Sequence, residues 1–189
     1  MNVFVCGGTG FIGYRVIQQL LERDDHVKSI SIDDCEFGDW FPKDHVENVF
    51  GDLFTMEPFE LKALFDGFDA MVYAVGPDDR ITPDAPAFEF FHDRLVKACA
   101  KVVKAAKDAG VKKCAICNSY FGYFDRIRPE LKLKEKHPYI RCRVEQAERC
   151  IEIGGDEMDV MIMEFPYIFG THPVREPIWK DIIIKRIQE

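Results

Sequence analysis

No apolar run in this chain approaches the length needed to cross a bilayer, so no membrane partner is expected. Low-complexity stretches and internal repeats are missing too, which sets aside linkers, fibrous arrays and solenoids. There is no excess of positive charge. The 25 Lys and Arg face 33 Asp and Glu, and a net charge of −8 makes nucleic acid a poor partner. The seven cysteines are odd in number and lack framework spacing, so reduced thiols in a cytoplasmic protein are expected. Cys114 and Cys117 imitate a metal or redox pair. Three apart on a strand, they point to opposite faces, and no second Cys or His pair stands at zinc spacing. The five histidines include no i, i+4 pair, so no metal site is expected. With a strand predicted to begin at residue 3, no signal peptide is expected.

What is present is concentrated at the start. The apolar strand Val3-Phe4-Val5-Cys6 runs into Gly7-Gly8-Thr9-Gly10-Phe11-Ile12-Gly13. Gly7 allows a sharp turn after the strand. Gly10 lets the backbone approach a pyrophosphate, and Gly13 lets the next helix pack close to the sheet. That helix carries Ile12, Val16, Ile17, Leu20 and Leu21 on one face. The amides at its start would then face phosphates at the favourable end of the helix dipole. This order of strand, glycine loop and helix is the signature of a dinucleotide-binding turn.

Strand and helix patterns then alternate. Strands are predicted over 27–32, 47–50, 70–75, 113–117 and 159–164. Helices are predicted over 59–65, over one long stretch 87–109 stopped by Gly110, and over 139–153. Short links between alternating units predict a doubly wound parallel α/β sheet, the Rossmann fold, covered on both faces. Ligands in such sheets lie beyond the carboxyl ends of the strands. Residues 1–170 form the expected nucleotide-binding domain. The tail 171–189 is too short for a second domain, so the chain is either a compact single-domain form or the start of something longer.

Asp33 and Asp34 end the second strand, roughly twenty residues after Gly13, where a carboxylate accepts hydrogen bonds from ribose hydroxyls. It would repel a 2′-phosphate, which favours NAD over NADP. Which of the two points inward is left open. Asp52, after Gly51, is placed to meet the adenine edge or merely to form a turn. Charge is uneven: residues 1–100 carry a balance of −11 and residues 101–189 one of +3. Seven basic and two acidic residues stand between Arg126 and Arg143, either a solvated face or an attractive field for an anionic substrate.

Several motifs occur in order: Gly-Gly-Thr-Gly-Phe-Ile-Gly at 7–13, Gly51-Asp52-Leu53, Ala74-Val75-Gly76, Asn118-Ser119, Tyr139 on a helix, and Phe169-Gly170. Together they resemble the extended short-chain dehydrogenase/reductase family, the NAD-dependent epimerases and dehydratases that often act on nucleotide sugars. The resemblance covers nearly the whole chain. It implies cofactor contacts from Gly7, Thr9, Gly10, Phe11, Ile12, Gly13, Asp52, Leu53, Ala74, Val75, Gly76 and Pro166. It implies Tyr139 as general acid/base and Ser119 as a donor to the same substrate oxygen. It also implies a small-molecule substrate, a C-terminal substrate domain, and a homodimer built from the helices around 88–109 and 139–153. Phe90 and Phe91 are adjacent and cannot share a face, which leaves one for a partner or a covering loop.

Two departures stand out. The family's lysine four residues after the tyrosine is Arg143 here, in Tyr139-Ile140-Arg141-Cys142-Arg143. A phenol with a pKa near ~10 needs a nearby cation to act as a base at neutrality. Arg143 brings the charge but cannot release a proton. It therefore fits either a working catalytic group or a protein that binds NAD without turnover. The family's Arg-Pro after the sixth strand is Phe165-Pro166. Tyr123 is expected in a loop near the substrate, and Arg80 at the cofactor edge or in a surface ion pair.

Overall fold

A computed structural model describes residues 1–32, 37–77, 80–177 and 179–188. Asp33 and Asp34 lie outside the described residues.

Six strands form one parallel sheet: β1 (Asn2–Cys6), β2 (His26–Ser31), β3 (Val46–Phe50), β4 (Ala70–Tyr73), β5 (Lys113–Ser119) and β6 (Asp159–Phe165). Their spatial order is β3-β2-β1-β4-β5-β6. The strand order reverses between β1 and β4, so a crevice opens at their carboxyl ends. This is the predicted Rossmann architecture.

Alternation along β1 builds two cores. Val3 and Val5 face one way, into a cluster with Val27, Val46 and Ile17 of α1 (Phe11–Leu21). Phe4 and Cys6 face the other way. They pack with Leu61 and Phe65 of α2 (Pro58–Phe65) and with Tyr73 and Ile116. α2 starts one residue before the predicted stretch 59–65. Glu57 and Glu60 form a reciprocal capping box, and Pro58 occupies the first turn.

The long helix expected over 87–109 is interrupted. It runs as α3 (Ala87–Phe91), a π-helical turn (His92–Lys97) and α4 (Ala98–Asp108). The wide turn lets the adjacent Leu95 and Val96 both bury, and it brings Leu95 against Gly76, whose φ is +130°. Periodicity alone could not show this, because apolar spacing barely changes across one wide turn.

β5 runs straight into α5 (Tyr120–Ile127), capped by the Ser119 side chain, which accepts from Phe121 N–H at 3.4 Å. Tyr123 is therefore on an exposed helix and not in a loop. The aromatic cluster here hides any single apolar stripe, but Gly122 lets the helix lie close on Glu164 of β6. A short α6 (Leu133–Lys136) leads to α7 (Pro138–Gly154), which packs on α4. After β6, residues 170–177 fold back over the start of α1, followed by a π turn (Lys180–Ile184) and α8 (Lys185–Gln188). Among the described residues no helix is long and apolar enough to cross a membrane.

Candidate cofactor and catalytic site

The glycine loop is closed by its own hydrogen bonds. Gly7 and Gly8 N–H both donate to Ile30 O, Gly10 N–H donates to Gly7 O, and Thr9 N–H donates to Ser31 Oγ at 3.2 Å. Gly7 sits at φ +88°, and a Cβ on Gly13 would lie 2.0 Å from Gly7 O. Only glycine permits that approach. Four loop amides are thus spent on the fold. The amides that begin α1, from Phe11 to Gly13, are the donors a helix start leaves for an anion.

Phe11 and Ile12 form one wall of a cavity of about 590 Å³ beyond the strand ends. Its other walls hold Ala74, Val75 and Gly76 after β4, Ser119 at the end of β5, Tyr139 and Arg143 on α7, and Pro166 after β6. Nine of the residues predicted for the site are therefore gathered in one cleft. Gly7, Thr9, Gly10 and Gly13 do not line it; they close the loop that leads into Phe11 and Ile12. Asp52 and Leu53 stand apart. Asp52 Oδ1 accepts from Phe54 N–H at 2.9 Å in a turn, and Leu53 is buried in the core.

Arg143 is the most constrained group in the cleft. Its side chain is buried, and its guanidinium lies 5.1 Å over the Tyr139 ring. Nε donates to Tyr139 Oη at 2.9 Å. One terminal nitrogen donates to Gln146 Oε1 at 3.0 Å and toward Cys117 O at 3.5 Å, and the other donates to Pro77 O at 3.1 Å. Among the described residues no carboxylate pairs with it. One side chain thus ties the ends of β4 and β5 to α7. Asn118 reinforces the tie by donating to Arg143 O and to Gln146 Oε1.

Since Tyr139 Oη accepts from Arg143, its own O–H is left to donate elsewhere, and Tyr139 faces the cavity. Ser119 stands in the same cleft, with its oxygen only loosely engaged as the α5 cap. The Cys117 thiol is pushed up to about 12 by burial, against a smaller opposing pull from Arg143. It is an inert neighbour and not a nucleophile. Cys114 is raised further by the same desolvation.

Sequence reasoning missed six lining residues: Tyr120, Tyr167, Ile168, Arg175, Glu176 and Trp179. No local pattern ties 175 or 179 to the glycine loop. The aromatic pair Tyr120-Phe121 beside Ser119 was the one available hint. The basic run near Arg126 is largely neutralised. Arg126 forks onto Glu164, Arg128 pairs with Glu130, and Lys134 lies by Asp125.

The cleft suits a dinucleotide. It has open amides at a helix start, cations at its mouth and a volume within the roughly 300–1,000 Å³ of ligand sites. A profile of the NAD(P)H-binding family matches residues 7–166. The chain belongs to the NAD(P)H-binding family. No curated protein sequence matches it. Among solved structures it is similar to the Bordetella bronchiseptica enzyme WbmH in complex with NAD+, with 19% identity and a TM-score of 0.72 over 99% of this chain and 62% of that one. It is also similar to a double mutant of DesIV, a dTDP-glucose 4,6-dehydratase from Streptomyces venezuelae with NAD and DAU bound. That match has 20% identity and a TM-score of 0.72 over 98% of this chain and 63% of that one. A UDP-galactose 4-epimerase matches with 16% identity and a TM-score of 0.73, over 100% of this chain and 63% of that one. At these identities the likeness is one of fold. The chain spans less than two thirds of each of these solved chains.

Proposed function

We propose that this protein is an NAD-dependent oxidoreductase, epimerase or dehydratase of the extended short-chain type, with a nucleotide sugar as its substrate class. The observation that carries the reading is the Tyr139–Arg143 pair, set beside Ser119 in the cleft that begins at α1. Phe11 and Ile12 would hold the cofactor's phosphates. Ala74, Val75, Gly76 and Pro166 would line its path toward Tyr139. NAD, when bound, supplies a hydride acceptor and donor at its nicotinamide.

The protein's share of the work is proton transfer and positioning. Tyr139 exchanges a proton with a substrate hydroxyl, and the fixed charge of Arg143 lies against the oxygen where negative charge develops. Ser119 donates to the same substrate oxygen. Arg80 and Arg175 at the cleft suit an anionic substrate or cofactor. Assays with NAD and a panel of nucleotide sugars, followed by nicotinamide absorbance, test the reading. Turnover of at least one is expected.

One observation favours a second reading. The Arg143 guanidinium is spent on Gln146 and two loop carbonyls, so it is not offered to a ribose as the family's lysine would be. A protein that binds NAD as a sensor or scaffold would tolerate this. NAD binding with no turnover across the panel would support it.

A further inference from the structure

The segment after β6 is pinned across the glycine loop at several points. Arg15, on α1, donates to Thr171 O at 3.1 Å and to its hydroxyl. His172 is wedged between the rings of Tyr14 and Trp40, with centroids at 5.0 and 5.4 Å, and its Nδ1 accepts from Val174 N–H. Gly170 lies on Phe11, and Trp179 Nε1 donates back to Gly170 O at 2.8 Å. These contacts deliver Arg175 to one place. Its Nε donates to Thr9 O at 3.1 Å, in the middle of the loop, and the residue lines the cleft beside Phe11 and Ile12. The neighbouring carboxylate, Glu176, is paired with Lys180 at 3.0 Å, which reduces its repulsion of an anion.

We propose that Arg175 is a cofactor-binding residue, whose guanidinium pairs with the pyrophosphate of the dinucleotide at the start of α1. The inference rests on the cofactor assignment of this cleft. A helix start offers only partial charge and a few amides, whereas a dinucleotide pyrophosphate carries two full negative charges. Arginine's planar fork matches phosphate oxygens, and a guanidinium already held by the Thr9 carbonyl loses little freedom on pairing. The segment 170–177 is then part of the nucleotide site.

Titration calorimetry on the full chain tests this with NAD and NADP at low and high salt, for wild type, Arg175→Gln and Arg175→Lys. Arg175→Gln should bind NAD about tenfold more weakly at low salt. The gap should narrow at high salt, as expected for a charge pair at a cleft mouth. Arg175→Lys should fall between the two. Wild-type affinity in both variants would overturn the assignment. So would a deficit that salt does not change, which would signal lost packing. A deficit confined to NADP would also overturn it, placing the guanidinium at a 2′-phosphate. A wild-type chain that binds neither dinucleotide would overturn the cofactor assignment itself.

Discussion

Arg143 Nε lies 2.9 Å from the phenol oxygen of Tyr139, one turn earlier on α7. A spacing of four residues on one helix puts a large, planar cation against the phenol. That cation also holds Pro77 O and Gln146 Oε1. Arg143→Ala should therefore destabilise the fold by about 3 kcal/mol, because it strands buried acceptors. Urea unfolding measures this. Arg143→Lys keeps the charge but loses the fork. It should cost less stability than alanine and keep or raise turnover. Loss of turnover in the lysine variant would contradict a tolerated substitution.

His172 gives a pH dependence. Burial, then the charges of Arg175 and Arg15, hold its imidazole below the usual histidine range. Its Nε2 is buried without a hydrogen-bond partner among the described residues. The unfolded chain therefore binds this proton more readily than the folded one. The stability linked to His172 is full above about pH 6.5 and falls as the pH drops below it. Urea midpoints measured from pH 8 to about pH 5 should fall less in His172→Phe than in wild type. Equal pH slopes would contradict the sign.

The fold was legible because its signals are local. The glycine loop and the alternating strands each depend on neighbours in sequence. The cleft residues on the strand ends were legible only through the resemblance that the ordered motifs carry. Helix α5 was not legible, since Tyr120, Phe121, Tyr123 and Phe124 mask its stripe and its cap is the candidate site residue Ser119. The commitment of Arg143 to Pro77 and Cys117 was also hidden, because it joins elements 26 and 66 residues apart. Arg175 at Thr9 spans 166 residues, a contact no spacing rule reaches.

Self-association through α3, α4 and α7 is expected. Phe91 is buried against the Tyr139 ring, while Phe90 is half-buried beneath the Arg94 guanidinium at 4.2 Å. That leaves Phe90 for a partner. Sedimentation should show a dimer that dissociates on dilution. A strict monomer at high protein concentration would rule this out.

NAD should bind more tightly than NADP. The expectation rests on the carboxylates of Asp33 and Asp34, which follow β2 in the sequence. Replacing both by Asn should narrow the preference in calorimetric titrations. Equal or tighter NADP binding by the wild type would remove the ribose role of these residues.

The most direct measurement is turnover and NAD affinity in Tyr139→Phe, on whichever nucleotide sugar the wild type accepts. The ring keeps its packing against Phe91 and Phe121, so the cleft should persist. Only the hydroxyl that Arg143 addresses is removed. Turnover should fall by at least about a hundredfold, the scale of a lost general acid–base group. NAD affinity should change by less than about twofold, a small fraction of the binding free energy. Turnover close to wild type with NAD still bound would contradict the assignment of Tyr139 as the proton-transfer residue.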